Sequence, residues 1–295
     1  MNIKIDTGMK VVMTGASGFL GQNIIEELQK KQIEINGLDR KLLYGDPNKL
    51  AEKLAGADAV INLAGAPIIK RWTSKNKAII YNSRVLTTKN LTRAINSLPK
   101  AMQPNTFVSA SAVGIYREGM VHDESSSRFA NHFAARVTDD WEDALVDLPD
   151  TIRQVIFRIG VVLGKDSQFI QQVLPVFKMG LGGKIGTGKQ AFPFIHLHDL
   201  VQAFVQSVTD EGYLGIYNLV APQQIDNKTF TQILAKKLNR PAILPVPAFA
   251  LKLLYGKAST LILKNPVVLP KRLEMQNFAH QFPTMESCLD QILDQ

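Results

Sequence analysis

The sequence predicts an α/β protein: a doubly wound parallel sheet with a small C-terminal α/β lobe. Three observations carry this. The apolar run Val11–Thr14 passes through Gly15, Gly18 and Gly21 into a helical segment at 22–30. Strand-like and helix-like segments then alternate up to about residue 165, and parallel strands require such crossover connections. Beyond Gly164, and again after Pro222, that rhythm changes.

Residues 1–8 precede the first strand as a short, largely polar extension without the apolar core of a signal peptide. The glycine turn comes next, and its three glycines have distinct uses. Gly15 allows a sharp turn off the strand, Gly18 lets a pyrophosphate approach the backbone, and Gly21 lets the helix pack close to the strand. A helix N-terminus there offers N–H donors and a positive dipole end. Such a strand–turn–helix unit is the opening of a Rossmann-type nucleotide-binding domain. The next strand, Ile33–Leu38, ends in Asp39-Arg40-Lys41, about 20 residues past the turn, where a ribose-reading residue is expected. Asp39 would accept from a ribose 2′-hydroxyl and favour NAD; Arg40 and Lys41 would neutralise a 2′-phosphate and favour NADP.

Asp58–Ala66 reads as a strand ending in small residues, which leave room for a ligand at its carboxyl end. A long helix is expected at 74–97, a strand at 106–111, a helix at about 129–147 and a strand at 154–159. A helix at 167–179, kinked at Pro175, precedes the glycine run 180–189. That run looks like G-x-x-x-x-G-K, but Gln190 stands where Ser or Thr would hold magnesium, so it reads as a substrate-side loop. His196, His198 and Asp199 have no further ligand cluster nearby; no metal site is expected, and Asp199 reads as the N-cap of a helix at 199–208. A strand at 213–220, a helix at 227–238, short helical pieces at 248–255 and 258–263, and a closing helix near 284–293 complete the chain. The domains are therefore expected at 1–222 and 223–295, with 166–189 contributing to the smaller lobe.

The composition bounds the class of function. Of 295 residues, 45% are hydrophobic and 20% charged, as in a globular protein. The net charge is +8, yet its basic residues are scattered, so nucleic acid is not an expected partner. Cys288 is the sole cysteine, which excludes an internal disulfide and fits a cytoplasmic protein. No apolar run reaches the ~20 residues that span a bilayer, so no membrane partner is expected.

These motifs together resemble the extended, atypical short-chain dehydrogenases/reductases, and within them the sugar-nucleotide epimerase-like group. The resemblance rests on Thr14–Gly21, Asn62–Gly65, Ser109–Tyr116, Trp141-Glu142, Arg158–Gly164, Ile195-His196 with Asp199, and Tyr217–Pro222. The tail Val268–Leu273, with Phe278 and Phe282-Pro283, resembles that group's own C-terminal domain. It implies a nicotinamide cofactor, NADP by preference with NAD open, held by Gly15, Ser17, Gly18, Phe19, Leu20, Asp39, Arg40, Leu63, Ala64, Gly65, Ser109 and Arg158. Arg158 could equally form an internal ion pair.

The family's chemistry uses a tyrosine four residues before a lysine, and no tyrosine here is followed by lysine at that spacing. By the register of Trp141-Glu142 the pair falls near Ala134 and Thr138. Ser111 and Tyr116 are left as catalytic candidates, each equally readable as a locally satisfied loop hydroxyl. The implied function is an NAD(P)-dependent epimerase or oxidoreductase acting on a small molecule, a nucleotide sugar by analogy. The alternative is a non-catalytic NADP(H)-binding regulator or redox sensor; a homodimer is left open.

Overall fold

The computed structural model describes residues 8–294, so the extension read at residues 1–8 lies, except for Gly8, outside the described residues. β1 (Lys10–Thr14) is buried from Val11 onward. α1 (Phe19–Lys30) begins at Phe19 instead of Gln22, because Gly18 is its N-cap, still extended at φ −79° and ψ 167°. β2 (Glu34–Leu38), α2 (Pro47–Leu54) and β3 (Ala59–Asn62) follow. The expected helix at 74–97 is α3 (Ser74–Tyr81) and α4 (Thr87–Asn96), joined by a π-helical turn at Asn82–Leu86. π turns inside helices mark functional positions often enough to single this one out.

β4 (Thr106–Ala112) and β5 (Val121–His122) lead to α5 (Phe133–Asp143). α5 is shorter than the pattern at 129–147 because His132 caps it, its Nδ1 accepting from the Ala135 N–H at 3.0 Å. β6 (Arg153–Ile159), β7 (Val161–Leu163), α6 (Gln168–Lys178), β8 (Phe194–His196), α7 (Leu197–Thr209) and β9 (Gly215–Leu219) continue the chain. Pro175 lies inside α6, which runs three residues past it. α8 (Asn227–Lys237), α9 (Ala248–Tyr255), α10 (Thr260–Leu263), β10 (Val267–Val268), α11 (Lys271–Met275) and α12 (Met285–Leu293) complete it.

Six strands form one parallel sheet in the order β2-β1-β3-β4-β6-β9. The chain winds outward from β1 to β2, then crosses back to lay β3 on the other side of β1. That reversal makes the carboxyl ends of β1 and β3 the switch point at which ligands bind in open α/β sheets. The sheet is covered on both faces. Val11 and Met13 pack with Ile24, Leu28 and Phe204 on one side, whereas Val12 packs with Leu50, Leu54 and Leu91 on the other. Successive residues of a strand point to opposite faces, so one five-residue strand feeds both cores.

A third core belongs to the C-terminal lobe. Ile170 and Phe177 of α6 pack there with Phe192, Phe230, Leu234, Met285 and Leu289. One short parallel pair, β5 with β10, joins the first part of the chain to the lobe, and β7 with β8 pairs the strands on either side of α6 and the glycine run. The glycine run at 180–189 follows a helix, unlike a P-loop, and Gly183 lies so close to the Leu244 carbonyl that a Cβ there would sit 1.6 Å from its oxygen. Among the described residues no helix is long and apolar enough to cross a membrane.

Cys288 sits at 0% exposure in this third core, and burial pushes its thiol up to about 12. The thiolate is the reactive form. A thiol-reactive dye at pH 8 is therefore expected to leave the native chain unlabelled and to label one thiol per chain once denaturant opens the lobe; fast native labelling would contradict this packing.

Candidate functional site

The glycine turn is held by the sheet beneath it. Gly15 has φ +69°, and a Cβ on it would lie 3.0 Å from the Leu63 backbone. Gly21 is tighter still: a Cβ there would stand 2.3 Å from the Gly15 carbonyl oxygen. The first position thus needs glycine for its dihedral and the second for helix–turn contact. Gly18 donates its N–H to the Gly15 carbonyl at 2.9 Å, and no side chain caps the start of α1. The N–H groups of that first turn, on Phe19 and Leu20, have no partner within the helix, and the turn lies at the carboxyl end of β1.

Buried hydrogen bonds set the opposite wall. Thr14 and Asn62 are register partners at the ends of β1 and β3. The Thr14 hydroxyl donates to Asn62 Oδ1 at 2.8 Å and accepts from the N–H groups of Leu63 and Ala64, each at 3.0 Å. Asn62 Nδ2 donates to Thr88 Oγ1 at 2.8 Å, which also accepts from Trp141 Nε1 at 3.0 Å. One network therefore ties β1, β3, α4 and α5 and turns the chain at 63–66 over the glycine turn.

Between these walls lies a cleft of about 340 Å³. Among the expected cofactor residues, Gly15, Ser17, Gly18, Arg40, Leu63, Ala64 and Gly65 line it. Phe19 and Leu20 stand beside it as the first residues of α1. Asp39 and Ser109 do not line it. Asp39 accepts from the Lys41 N–H at 2.8 Å, and Ser109, 1% exposed, donates to the Ala110 carbonyl at 3.1 Å.

Sequence reasoning missed Leu38, Leu43 and Tyr44 on one side of the cleft, and Ser83 and Thr87 on the other. The π turn carries Ser83 and hands the chain to α4 at Thr87. Ser83 Oγ accepts from the Ala66 N–H at 2.9 Å, and Arg84 donates to the Ala66 carbonyl at 2.9 Å, so both polar groups of Ala66 are clamped. Arg84 makes no ion pair among the described residues, and burial pulls its guanidinium down to about 10. The adjacent Ser83-Arg84, one helical turn ahead of Thr87-Thr88, was the available signal.

A second polar row crosses the sheet nearer the lobe. Ser111, Arg158 and Asn218 are register partners on β4, β6 and β9. Arg158, 2% exposed, donates through Nε and Nη2 to the Glu142 carboxylate at 2.8 and 2.6 Å, and through Nη1 to the Tyr116 hydroxyl at 2.8 Å. Its expected place on a cofactor phosphate is thus corrected to the internal ion pair, because Glu142 of α5 reaches across the strand ends. Burial opposes the Arg158 charge, but the bonds and charge of Glu142 outweigh it and raise its pKa.

Ser111 donates to the same carboxylate, and Tyr116 donates to Asn218 Oδ1 at 2.8 Å. Burial holds the Tyr116 phenol above its ordinary pKa, against the lowering effect of Arg158 and Asn218. Neither hydroxyl lines the cleft, and both are engaged inside this network. One turn apart on α5, Thr138 Oγ1 donates to the Ala134 carbonyl at 3.0 Å, so the positions of the tyrosine–lysine pair close on each other.

The histidine cluster has a structural use. His196, not Asp199, is the N-cap of α7, accepting from the His198 N–H at 3.2 Å. β8 runs straight into the helix, which places Asp199 at its third residue, 1% exposed, where it accepts from the N–H groups of Gln281 and Phe282 at 2.8 and 3.0 Å. Among the described residues no three His, Cys, Asp or Glu side chains are grouped to hold a metal.

Two substitutions test these networks. Thr14→Val leaves Asn62 Oδ1 and two backbone N–H groups without partners and is expected to lower unfolding free energy by about 2–4 kcal/mol in urea titration; Thr14→Ser should recover most of it. Arg158→Met strands the Glu142 carboxylate and is expected to cost about 3–5 kcal/mol, with much of the loss restored by adding Glu142→Leu. An Arg158→Met protein as stable as wild type would contradict the ion pair.

Residues 11–219 match the model of the NAD dependent epimerase/dehydratase family, and residues 246–292 match a domain of unknown function, DUF1731. The epimerase family protein SDR39U1 homolog, chloroplastic, of Arabidopsis thaliana is 33% identical over 98% of this chain and 88% of its own length. YfhF of Bacillus subtilis, also an epimerase family protein, is 32% identical over 97% of this chain and 98% of its own length. The crystal structure of human epimerase family protein SDR39U1 with NADPH has a TM-score of 0.89 at 31% identity, covering 97% of this chain and 99% of that one. The second domain match falls on the tail that resembled an epimerase-like group's own C-terminal domain. With its parallel sheet, glycine turn and match over residues 11–219, the chain belongs to the NAD dependent epimerase/dehydratase family.

Proposed function

We propose that this chain binds NADP(H) over the β1–β3 switch point and acts as an epimerase or oxidoreductase on a small molecule of nucleotide-sugar type. The observation that carries it is the uncapped, glycine-lined start of α1 facing the Leu63–Gly65 backbone across the cleft. A bound nicotinamide dinucleotide supplies hydride transfer. The chain's own residues bind and orient it: the N–H groups of Phe19 and Leu20 receive the pyrophosphate, and Leu38, Leu43 and Tyr44 offer an apolar wall to the adenine.

Arg40 is exposed and lines the cleft, whereas the Asp39 carboxylate is engaged by the Lys41 N–H at 2.8 Å; this favours a 2′-phosphate over a bare ribose. The NADPH in the human relative's crystal structure points the same way. A cytoplasmic location, which the single buried cysteine fits, is part of the proposal.

A second reading, a non-catalytic NADP(H)-binding regulator or redox sensor, is favoured by the engaged hydroxyls of Ser111 and Tyr116 and by Ala134 and Thr138 on α5. Turnover over a panel of carbonyl and sugar-nucleotide substrates separates the two. Cofactor oxidation or reduction that Ser111→Ala abolishes supports the enzyme; a loaded protein inert across the panel supports the regulator.

Isothermal titration is expected to show NADPH binding more tightly than NADH, with Arg40→Ala weakening NADPH by about tenfold and leaving NADH unchanged. No binding of either nucleotide at millimolar concentration would overturn the proposal.

A further inference from the structure

The C-terminal lobe leaves an apolar face uncovered. Among the described residues, α9 is the one helix of eight or more residues that buries none of them. Phe249 and Leu253 stand one turn apart on its outer side, with Leu254 beside them. The chain leading into the helix continues the face through Ile243 and Leu244. Ile243, Phe249 and Leu253 are 72–83% exposed, so they stand out from the surface and do not line a groove. The glycine run adjoins them: the Val246 N–H donates to the Lys184 carbonyl at 2.8 Å, and the Gly186 N–H donates to the Val246 carbonyl at 2.9 Å. That contact extends the apolar stretch to the exposed Leu181.

An eight-residue helix does not hold itself in water, and burial of an apolar face normally makes up the difference. Here the fastening is polar. Arg71, in the stretch between β3 and α3, donates to the carbonyls of Leu253 and Leu254 at the end of α9. Leu251 and Tyr255 turn inward and are half-buried, which leaves Phe249, Leu253 and Leu254 facing out. A contiguous exposed apolar patch of this kind marks an interaction surface.

Charge selects the partner. Residues 167–198 and 227–273 contain no Asp or Glu. Around the patch they place Lys184, Arg240, Lys252 and Lys257, all exposed and none in an ion pair among the described residues. Lys252 and Lys257 also line a cavity of about 660 Å³ with Lys77 and Arg136, which adds to the positive potential on that side. A second copy of the chain fits poorly, because a two-fold contact would bring the same cations of the two copies together. A helix-binding protein partner would need a groove to receive, and these side chains protrude.

We propose that this face docks on an anionic lipid bilayer. Ile243, Phe249 and Leu253 enter the boundary between headgroups and acyl chains, and Lys184, Arg240, Lys252 and Lys257 meet the lipid phosphates. The expectation of no membrane partner rests on the lack of a spanning run, which a helix lying in the headgroup plane does not need. The proposal is independent of the dinucleotide reading.

The test is co-sedimentation of the full chain with vesicles of phosphatidylglycerol and phosphatidylcholine in equal parts, against vesicles of phosphatidylcholine alone. Binding to the anionic vesicles is expected to be at least about tenfold tighter and to fall as salt rises. Phe249→Ser/Leu253→Ser should abolish it, and Lys184→Glu/Arg240→Glu should weaken it by at least about tenfold. All four residues are exposed, so far-ultraviolet circular dichroism and the urea midpoint should stay as in the wild type. Phe249→Trp should keep the binding and add a tryptophan emission that shifts to the blue on anionic vesicles. No binding to anionic vesicles overturns the proposal. So does binding that the double serine variant retains, which would mark charge alone. A dimer in analytical ultracentrifugation that the serine variant dissociates, without vesicle binding, would give the face to a second copy and overturn it as well.

Discussion

The hydrogen bond from Thr14 to Asn62 is the constraint on which the site depends. It joins the ends of β1 and β3 where the winding of the sheet reverses, and it is completed by two backbone N–H groups that Thr14 accepts. Both side chains are 0% exposed, so each polar atom must find a protein partner or carry a desolvation penalty. The arrangement that satisfies them turns the chain over the Gly15 backbone. A glycine turn becomes a cradle because a buried hydroxyl holds its opposite wall in place.

The second polar row has a different physical character. Arg158 and Glu142 are an ion pair with side-chain exposures of 3% and 12%, packed between Tyr116, Ser111 and Asn218. Such a pair contributes little net stability compared with apolar packing, yet removing one member is expensive. What it supplies is orientation: it binds α5 to the strand ends and holds Tyr116 between a donor and an acceptor. The residues that resemble the family's catalytic hydroxyls are thereby part of the scaffold that positions α5, and chemistry at the cofactor would need those bonds to rearrange or another group to act.

Net charge conceals where the charge lies. The chain carries +8, and the scattered lysines of the sequence suggested only a solvated surface. Folding brings Lys77 and Arg136 from the sheet domain against Lys252, Lys257 and Lys264 from the lobe, residues up to 187 positions apart in the chain. Cation density in a cavity is a tertiary property, whereas a count of basic residues is not.

The strand–turn–helix at 10–30, the succession of parallel strands and the C-terminal lobe were legible from the sequence, because glycine spacing and hydrophobic period are local signals. The absence of a tyrosine–lysine pair was legible for the same reason. Arg158 was not, since a phosphate contact and an internal ion pair require the same residue type, and only the approach of Glu142 from α5 decides between them. Asp199 was read as a cap because it precedes an apolar run; β8 entering α7 without a loop gave that position to His196 and turned Asp199 toward residues 281–282. Ser83 and Arg84 looked like ordinary helix residues until the π turn aimed them at Ala66. The sequence by itself determined the sheet, the glycine turn and the absence of a tyrosine–lysine pair, all carried by neighbours in the chain. The tertiary structure decided which polar groups are consumed by one another and which cations share a cavity, because those choices depend on partners that the chain brings together only by folding.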